Sequence, residues 1–246
     1  MVGDVGLLVD TDGVGKVRPG RSRLPAKIKK AKVVLCSSAK GGSGKSTSVR
    51  SLATFAAKEG LRVATVDLDA QQTLTRWWLR RPDNLPSITN YDAIPMADAS
   101  EAVGELAASG DYDVILVDTA PGVEKEVEPL KHILGRSDLV LVPTTDGGED
   151  LESVADWMAT LRREKRPAYF LLCKTDRGMG TVGEARTFLS NKGRICPIDV
   201  RTMQAIKRSY VDGRGPADFT SKPGLRAAED YRAVWNFVKL ELGMGD

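Results

Sequence analysis

Short, nearly continuous apolar runs recur along the chain, at residues 33–36, 63–66, 114–117, 139–142 and 169–172. Unbroken rather than alternating apolar character predicts strands covered on both faces, the pattern of a parallel sheet assembled from βαβ units. Helix-like segments separate the runs, at 45–59, 73–80, 97–109, 124–134, 149–163, 179–192, 201–210 and 225–241. Weaker strands are expected at 87–91 and 194–198. The fold class this implies is α/β, a doubly wound, mostly parallel sheet flanked by helices, as one domain over residues 33–246.

Residues 1–32 do not share this pattern. They contain glycines, Pro19 and Pro25 with no sustained period, which predicts a mostly irregular arm. Charge sets the arm apart further. Eight lysines and arginines against three aspartates give it a net +5, leaving −2 for residues 33–246 out of a whole-chain +3. Such an arm suits either a solubilising tail or a nucleic-acid contact. Across the 246 residues, 41% are hydrophobic and 28% charged, enough for a core without disulfides. No run reaches the roughly 18 apolar residues of a membrane helix, and Asp4, Asp10 and Asp12 stand where a signal peptide carries cations. Cys36, Cys173 and Cys196 are widely spaced, so neither a disulfide framework nor a zinc site is indicated, and a cytoplasmic location is expected.

Strand 33–36 runs into Ser37-Ser38-Ala39-Lys40-Gly41-Gly42-Ser43-Gly44-Lys45-Ser46-Thr47 and then a helix. Strand, glycine-rich loop and helix in that order make a P-loop. Its backbone N–H groups surround phosphates at a helix N-terminus, Lys45 reaches the β and γ phosphates, and Ser46 is placed to ligate Mg2+. The second apolar run ends in Asp67-Leu68-Asp69-Ala70-Gln71-Gln72, and residues 114–117 end in Asp118-Thr119-Ala120-Pro121-Gly122. Carboxylates at the C-terminal ends of parallel strands face the phosphate crevice.

The form KGGSGKST, with Ala39 where the usual first glycine stands and Lys40 inside the loop, resembles the deviant Walker A loop of the ParA/MinD family of dimeric ATPases. The resemblance extends over nearly all of 33–246, although Ala70 replaces the proline usual in the family's first switch. It implies a P-loop ATPase that binds ATP and Mg2+ and hydrolyses ATP slowly. Phosphate contacts would come from Lys40, Gly41, Gly42, Ser43, Gly44, Lys45, Ser46 and Thr47. It further implies that Lys40 crosses to the phosphates of a partner copy, that Asp67 and Asp118 join Ser46 in the Mg2+ shell, and that Asp69 positions the attacking water, with plain capping the alternative for Asp69.

Cys173-Lys174-Thr175-Asp176 is similar to the [NT]-K-x-D element by which GTPases read guanine, but it lacks the first residue. The family uses this loop to line adenine, so Lys174 and Asp176 are assigned to an ATP site. Glu149 and Asp150 fit either a dimer-facing loop or the preference of helix N-termini for acids.

The resemblance is strongest to a small ParA-type partition ATPase without an N-terminal helix-turn-helix domain. It implies an ATP-induced sandwich dimer that binds double-stranded DNA without sequence preference, through Arg201, Lys207, Arg208 and Arg214, and is nucleoid-associated. A ParB-like centromere-binding adaptor would release it by stimulating hydrolysis. Positioning of a protein organelle or other cargo is the alternative within the family. A MinD-like membrane cycle fits less well, because the 225–241 helix balances Arg226, Arg232 and Lys239 against Glu229, Asp230 and Glu241 and its apolar positions, Leu225 among them, suit core docking. Related P-loop ligases, iron–sulfur reductases and tyrosine kinases stay open as other classes, without a matching cysteine pair or tyrosine cluster. His132 is read as structural.

Overall fold

A computed structural model of the chain describes residues 30–92, 94–122, 127–176 and 180–245. The expected arm lies outside the described residues, except for its last three positions. Among the described residues, seven strands form one sheet: β1 Lys32–Cys36, β2 Val63–Asp67, β3 Thr89–Tyr91, β4 Val114–Asp118, β5 Leu139–Thr144, β6 Ala168–Thr175 and β7 Val200–Arg201. Their order is β3-β2-β4-β1-β5-β6-β7 and every pairing is parallel. Eight α-helices of the described residues cover it: α1 Lys45–Lys58, α2 Thr73–Trp78, α3 Ala99–Ala108, α4 Val127–Arg136, α5 Gly148–Arg163, α6 Thr181–Ser190, α7 Gln204–Ser209 and α8 Lys222–Glu241. No helix of the described residues is long and apolar enough to cross a membrane.

The unbroken apolar runs have the predicted cause. Successive strand residues point to opposite faces. Val34 and Cys36 enter one core with Leu52 of α1 and Trp235 of α8, while Val33 and Leu35 enter another with Val103 of α3 and Trp157 of α5. β1 lies in the middle of the order, so the loop that leaves it opens at the C-terminal edge with sheet on both sides.

Two expectations need correction on the β6 side. Residues 194–198 make a single bridge, Phe170 to Ile195, and not a strand. The last strand is instead Val200–Arg201. The helix expected from 201 therefore starts only at Gln204, after the Thr202 N–H has bonded to the Thr175 carbonyl at 2.9 Å. In addition, α8 begins three residues before its expected start. Ser221 caps it by accepting the Gly224 N–H at 3.3 Å, and Leu225, expected to face the core, is 42% exposed.

Candidate phosphate site

β1 delivers the loop and α1 receives it. Gly42 and Gly44 have φ of +74° and +111°, values that side chains with a Cβ avoid, which is why glycines stand there. The loop turns its polar groups inward. The Lys45 ammonium donates to the Lys40 carbonyl at 3.0 Å and lies 3.5 Å from the Ser38 carbonyl. The Ser37, Ser38 and Ser43 hydroxyls are buried with no hydrogen-bond partner among the described residues. Polar groups buried in this way are otherwise rare, and their clustering marks a site built for a polar ligand.

In-register pairing aligns Cys36, Asp67 and Asp118 across three neighbouring strand ends. Asp118 is fully buried and neither carboxylate oxygen accepts a hydrogen bond. Burial, above all, pushes its carboxyl up to about 7, helped by the negative charges of Asp67 and Asp69; the nearby Ser46 hydroxyl and Lys45 ammonium only partly offset this. The residues therefore fit a divalent cation: an orphaned buried carboxylate, a second carboxylate and a serine hydroxyl on one side of a phosphate cradle. Asp67 is better satisfied. It accepts the Thr75 N–H at 2.9 Å, the Thr75 hydroxyl at 3.0 Å and the Asp69 N–H at 3.1 Å, yet burial still raises its pKa.

Asp69 lies on the rim, where its carboxylate accepts the Gln71 N–H at 2.9 Å. It thus makes a local cap and faces the site at once. A cavity of about 370 Å3 is lined by Gly41, Gly42 and the run from Gly44 to Thr47, by Asp69, Gln71 and Thr73 beyond β2, by Pro121 beyond β4, and by Lys174. Gln71, Thr73 and Pro121 were not singled out as site residues, since nothing local in their chemistry distinguishes them from turn residues. Lys174, at φ +58°, folds its ammonium onto the Gly42 carbonyl. Asp176 is exposed beside it.

Next to the cavity, a narrow apolar recess of about 80 Å3 is walled by Gly44, Thr47, Cys173, Val200, Met203 and Ile206. Burial raises the Cys173 thiol to about 12 and the Cys196 thiol to about 11, so both are packing groups. His132 is exposed on α4 and does not line the cavity.

The Lys40 side chain points away from its own cradle. Its ammonium pairs with Glu149 and with Asp150, each at 3.1 Å, at the start of α5. The two carboxylates raise the Lys40 pKa; burial disfavours the Asp150 charge, but bonds from Thr145 and Lys40 outweigh it and hold that carboxyl below its usual range. Arg201 is likewise engaged. Its guanidinium makes two 2.7 Å bonds to the two Asp230 oxygens, with Glu229 at 3.7 Å. Lys207 and Arg208, by contrast, are exposed on α7, with Arg214 in the turn beyond.

Known proteins bring this arrangement into a family. The model of the VirC1 protein family matches residues 31–162, more than half of the chain. The virC1 protein of Rhizobium radiobacter is 35% identical over 43% of this chain and 45% of its own length, and a ParA protein of the same organism is 28% identical over 50% and 56%. The chain thus spans about half the length of the curated relatives it matches. Among solved structures, a putative plasmid partition protein from Borrelia burgdorferi B31 bound to AMPPNP is similar with a TM-score of 0.67 at 20% identity, over 86% of this chain and 100% of that one. MinD from Pyrococcus horikoshii complexed with Mg-ADP gives 0.70 at 15%, over 87% and 98%. At such identities the likeness shows a shared fold. With phosphate loop, switch aspartates and sheet order in place, the chain belongs to the VirC1 family and has the ParA/MinD fold.

Proposed function

We propose that this protein is a partition-type ATPase in which ATP joins two protomers and the pair holds DNA. The observation that carries the reading is the geometry of Lys40: its carbonyl is part of the phosphate cradle, while its ammonium is directed to the molecular surface, where two acids hold it. A cation so placed suits the phosphates of a second copy. Lys45 and the loop amides would hold the β and γ phosphates, and the apolar recess would take adenine, a base with a broad hydrophobic face. Ser46, Asp67 and Asp118 would hold Mg2+, which when bound neutralises charge on the phosphate oxygens. Asp69, on the cavity rim, would orient the attacking water.

Hydrolysis by one protomer is slow in this account, because no arginine lines the cavity among the described residues, and such a residue is worth about 10³–10⁵ in rate. A ParB-like adaptor would supply the acceleration. Exposed Lys207 and Arg208, with Arg214, would meet DNA phosphates. Arg201, bonded to Asp230, would brace the start of that segment, its charge already matched. α8 supports DNA over lipid, since Tyr231, Val234, Trp235 and Val238 are buried in the core.

Retention on duplex DNA tests the reading. With Mg2+ and ATP, Asp69→Ala is expected to stay on DNA while turning over little ATP, and Lys207→Gln/Arg208→Gln to lose the ATP-dependent part of retention. Equal retention with and without ATP in the wild type and in Asp69→Ala would refute the proposal.

A further inference from the structure

The sheet edge opposite the phosphate loop carries a larger cavity, of about 690 Å3, between the C-terminal ends of α5 and α6 and the start of β6. Its rim holds Arg162, Lys165, Arg166, Lys192 and Arg194, and no aspartate or glutamate lines it. Four of the five are exposed and Arg166 is half-buried. None of them has a carboxylate within ion-pair distance among the described residues. Glu164, adjacent in sequence, pairs with none of them. Glu241 approaches only through the Tyr169 hydroxyl, which donates to it at 2.6 Å and accepts from Arg194 at 3.3 Å.

Cations at helix C-termini have a structural use, because they face the negative end of the helix dipole. That use accounts for part of the cluster: Arg162 reaches the Lys192 carbonyl and Arg166 the Ser137 carbonyl, each at a long 3.4 Å. One such bond leaves four guanidinium donors per arginine, and five cations exceed what two helix ends need. Nor do the charges converge on one point, as they would around a small anion; they spread along a shelf. Gly193 keeps the floor close to the sheet, since a Cβ there would stand 2.6 Å from Met158. Lys32 opens β1 at this same N-terminal edge, with Lys30 two positions before it, and the sequence before them adds six more cations from Lys16 to Lys29.

We propose that this shelf binds the phosphodiester backbone of nucleic acid, from a single protomer and without ATP. It is distinct from the surface around α7 and acts before ATP joins two protomers into the DNA-holding clamp, keeping the protein near DNA with no base preference. Contacts to a repeating anion release counterions, so affinity falls steeply with salt.

The test uses the full chain with EDTA and no nucleotide, and reads fluorescence anisotropy of a labelled duplex between about 50 and 200 mM salt. The wild type is expected to bind weakly. Arg162→Gln/Arg166→Gln/Lys192→Gln should lose at least tenfold in affinity and lower the slope of log affinity against log salt by about 3, since each neutralised phosphate contributes about 0.9. Arg162→Lys/Arg166→Lys, which keeps the charges, should retain binding. Failure of the clamp reading would instead appear as a missing ATP-dependent increment. Two results overturn the proposal: an unchanged slope and affinity in the triple glutamine variant, or displacement of the duplex by tripolyphosphate at equal phosphate concentration, which would make the shelf a small-anion site.

Discussion

Replacing Asp118 with asparagine in the metal-free protein exchanges a buried, unpaired charge for a neutral group of nearly the same shape. Asp118 is fully buried, with no hydrogen bond to either oxygen, and its carboxyl is raised from 3.8 to about 7. The folded state thus holds its proton more tightly than the unfolded chain. This favours the fold below the unfolded pKa, and the advantage is lost as pH rises toward 7. Three pKa units correspond to about 4 kcal/mol lost by pH 8.5, and about 2 kcal/mol of that falls between pH 5.5 and 8.5. The asparagine amide, itself lacking partners, gives back about 1–3 kcal/mol. Urea unfolding in EDTA should therefore show Asp118→Asn equal to or more stable than the wild type at pH 8.5. The wild-type advantage should grow by about 2 kcal/mol when both are measured at pH 5.5. Adding Mg2+ with a slowly hydrolysed ATP analogue at about 100 times its Kd should stabilise the wild type by about 2.7 kcal/mol and the variant by much less. A variant less stable at pH 8.5, with a pH profile parallel to the wild type, would show that the protein itself satisfies this carboxylate and that no cation is needed.

Glu149→Gln/Asp150→Asn removes both acids that hold Lys40, and ATP-dependent dimerisation should tighten by about two- to fivefold in equilibrium sedimentation, whereas weaker dimers would place the acids in the interface itself. Gly213→Ala should destabilise the fold by at least about 3 kcal/mol in urea, because a Cβ at φ +62° would stand 2.2 Å from the Arg80 backbone. Arg50→Ala should cost about 3–5 kcal/mol, since the buried guanidinium donates to the Ser209 hydroxyl at 2.9 Å and to the Ile206 and Arg214 carbonyls at 2.6 and 3.2 Å; a loss below about 1 kcal/mol would show that water replaces it.

The phosphate loop was legible because its chemistry restricts residue identity: only glycine suits the backbone of Gly42 and Gly44, and each lysine or serine acts within a few positions of the next. Asp67 and Asp118 were legible for a related reason, since an apolar run that ends in a carboxylate marks a strand end. Contacts between distant parts of the chain were not legible. The clasp of Lys40 spans 109 positions to Glu149, and the Asp230 partner that engages Arg201 is 29 positions away. Read as a string, Arg201 is a free cation; folded, it is half of an ion pair. The basic shelf was missed similarly, because its cations are divided between 162–166 and 192–194 and each group looks like an ordinary helix end. β7 was misplaced because apolar character runs through 195–198, whereas those residues make only one bridge to β6 and the ladder resumes at Val200.

The most direct test of the central claim is sedimentation velocity of the wild type and Lys40→Ala with Mg2+ and a slowly hydrolysed ATP analogue. The account predicts two-protomer particles for the wild type, and single protomers that still bind nucleotide for Lys40→Ala. Single protomers in both, or dimers in both, would contradict it.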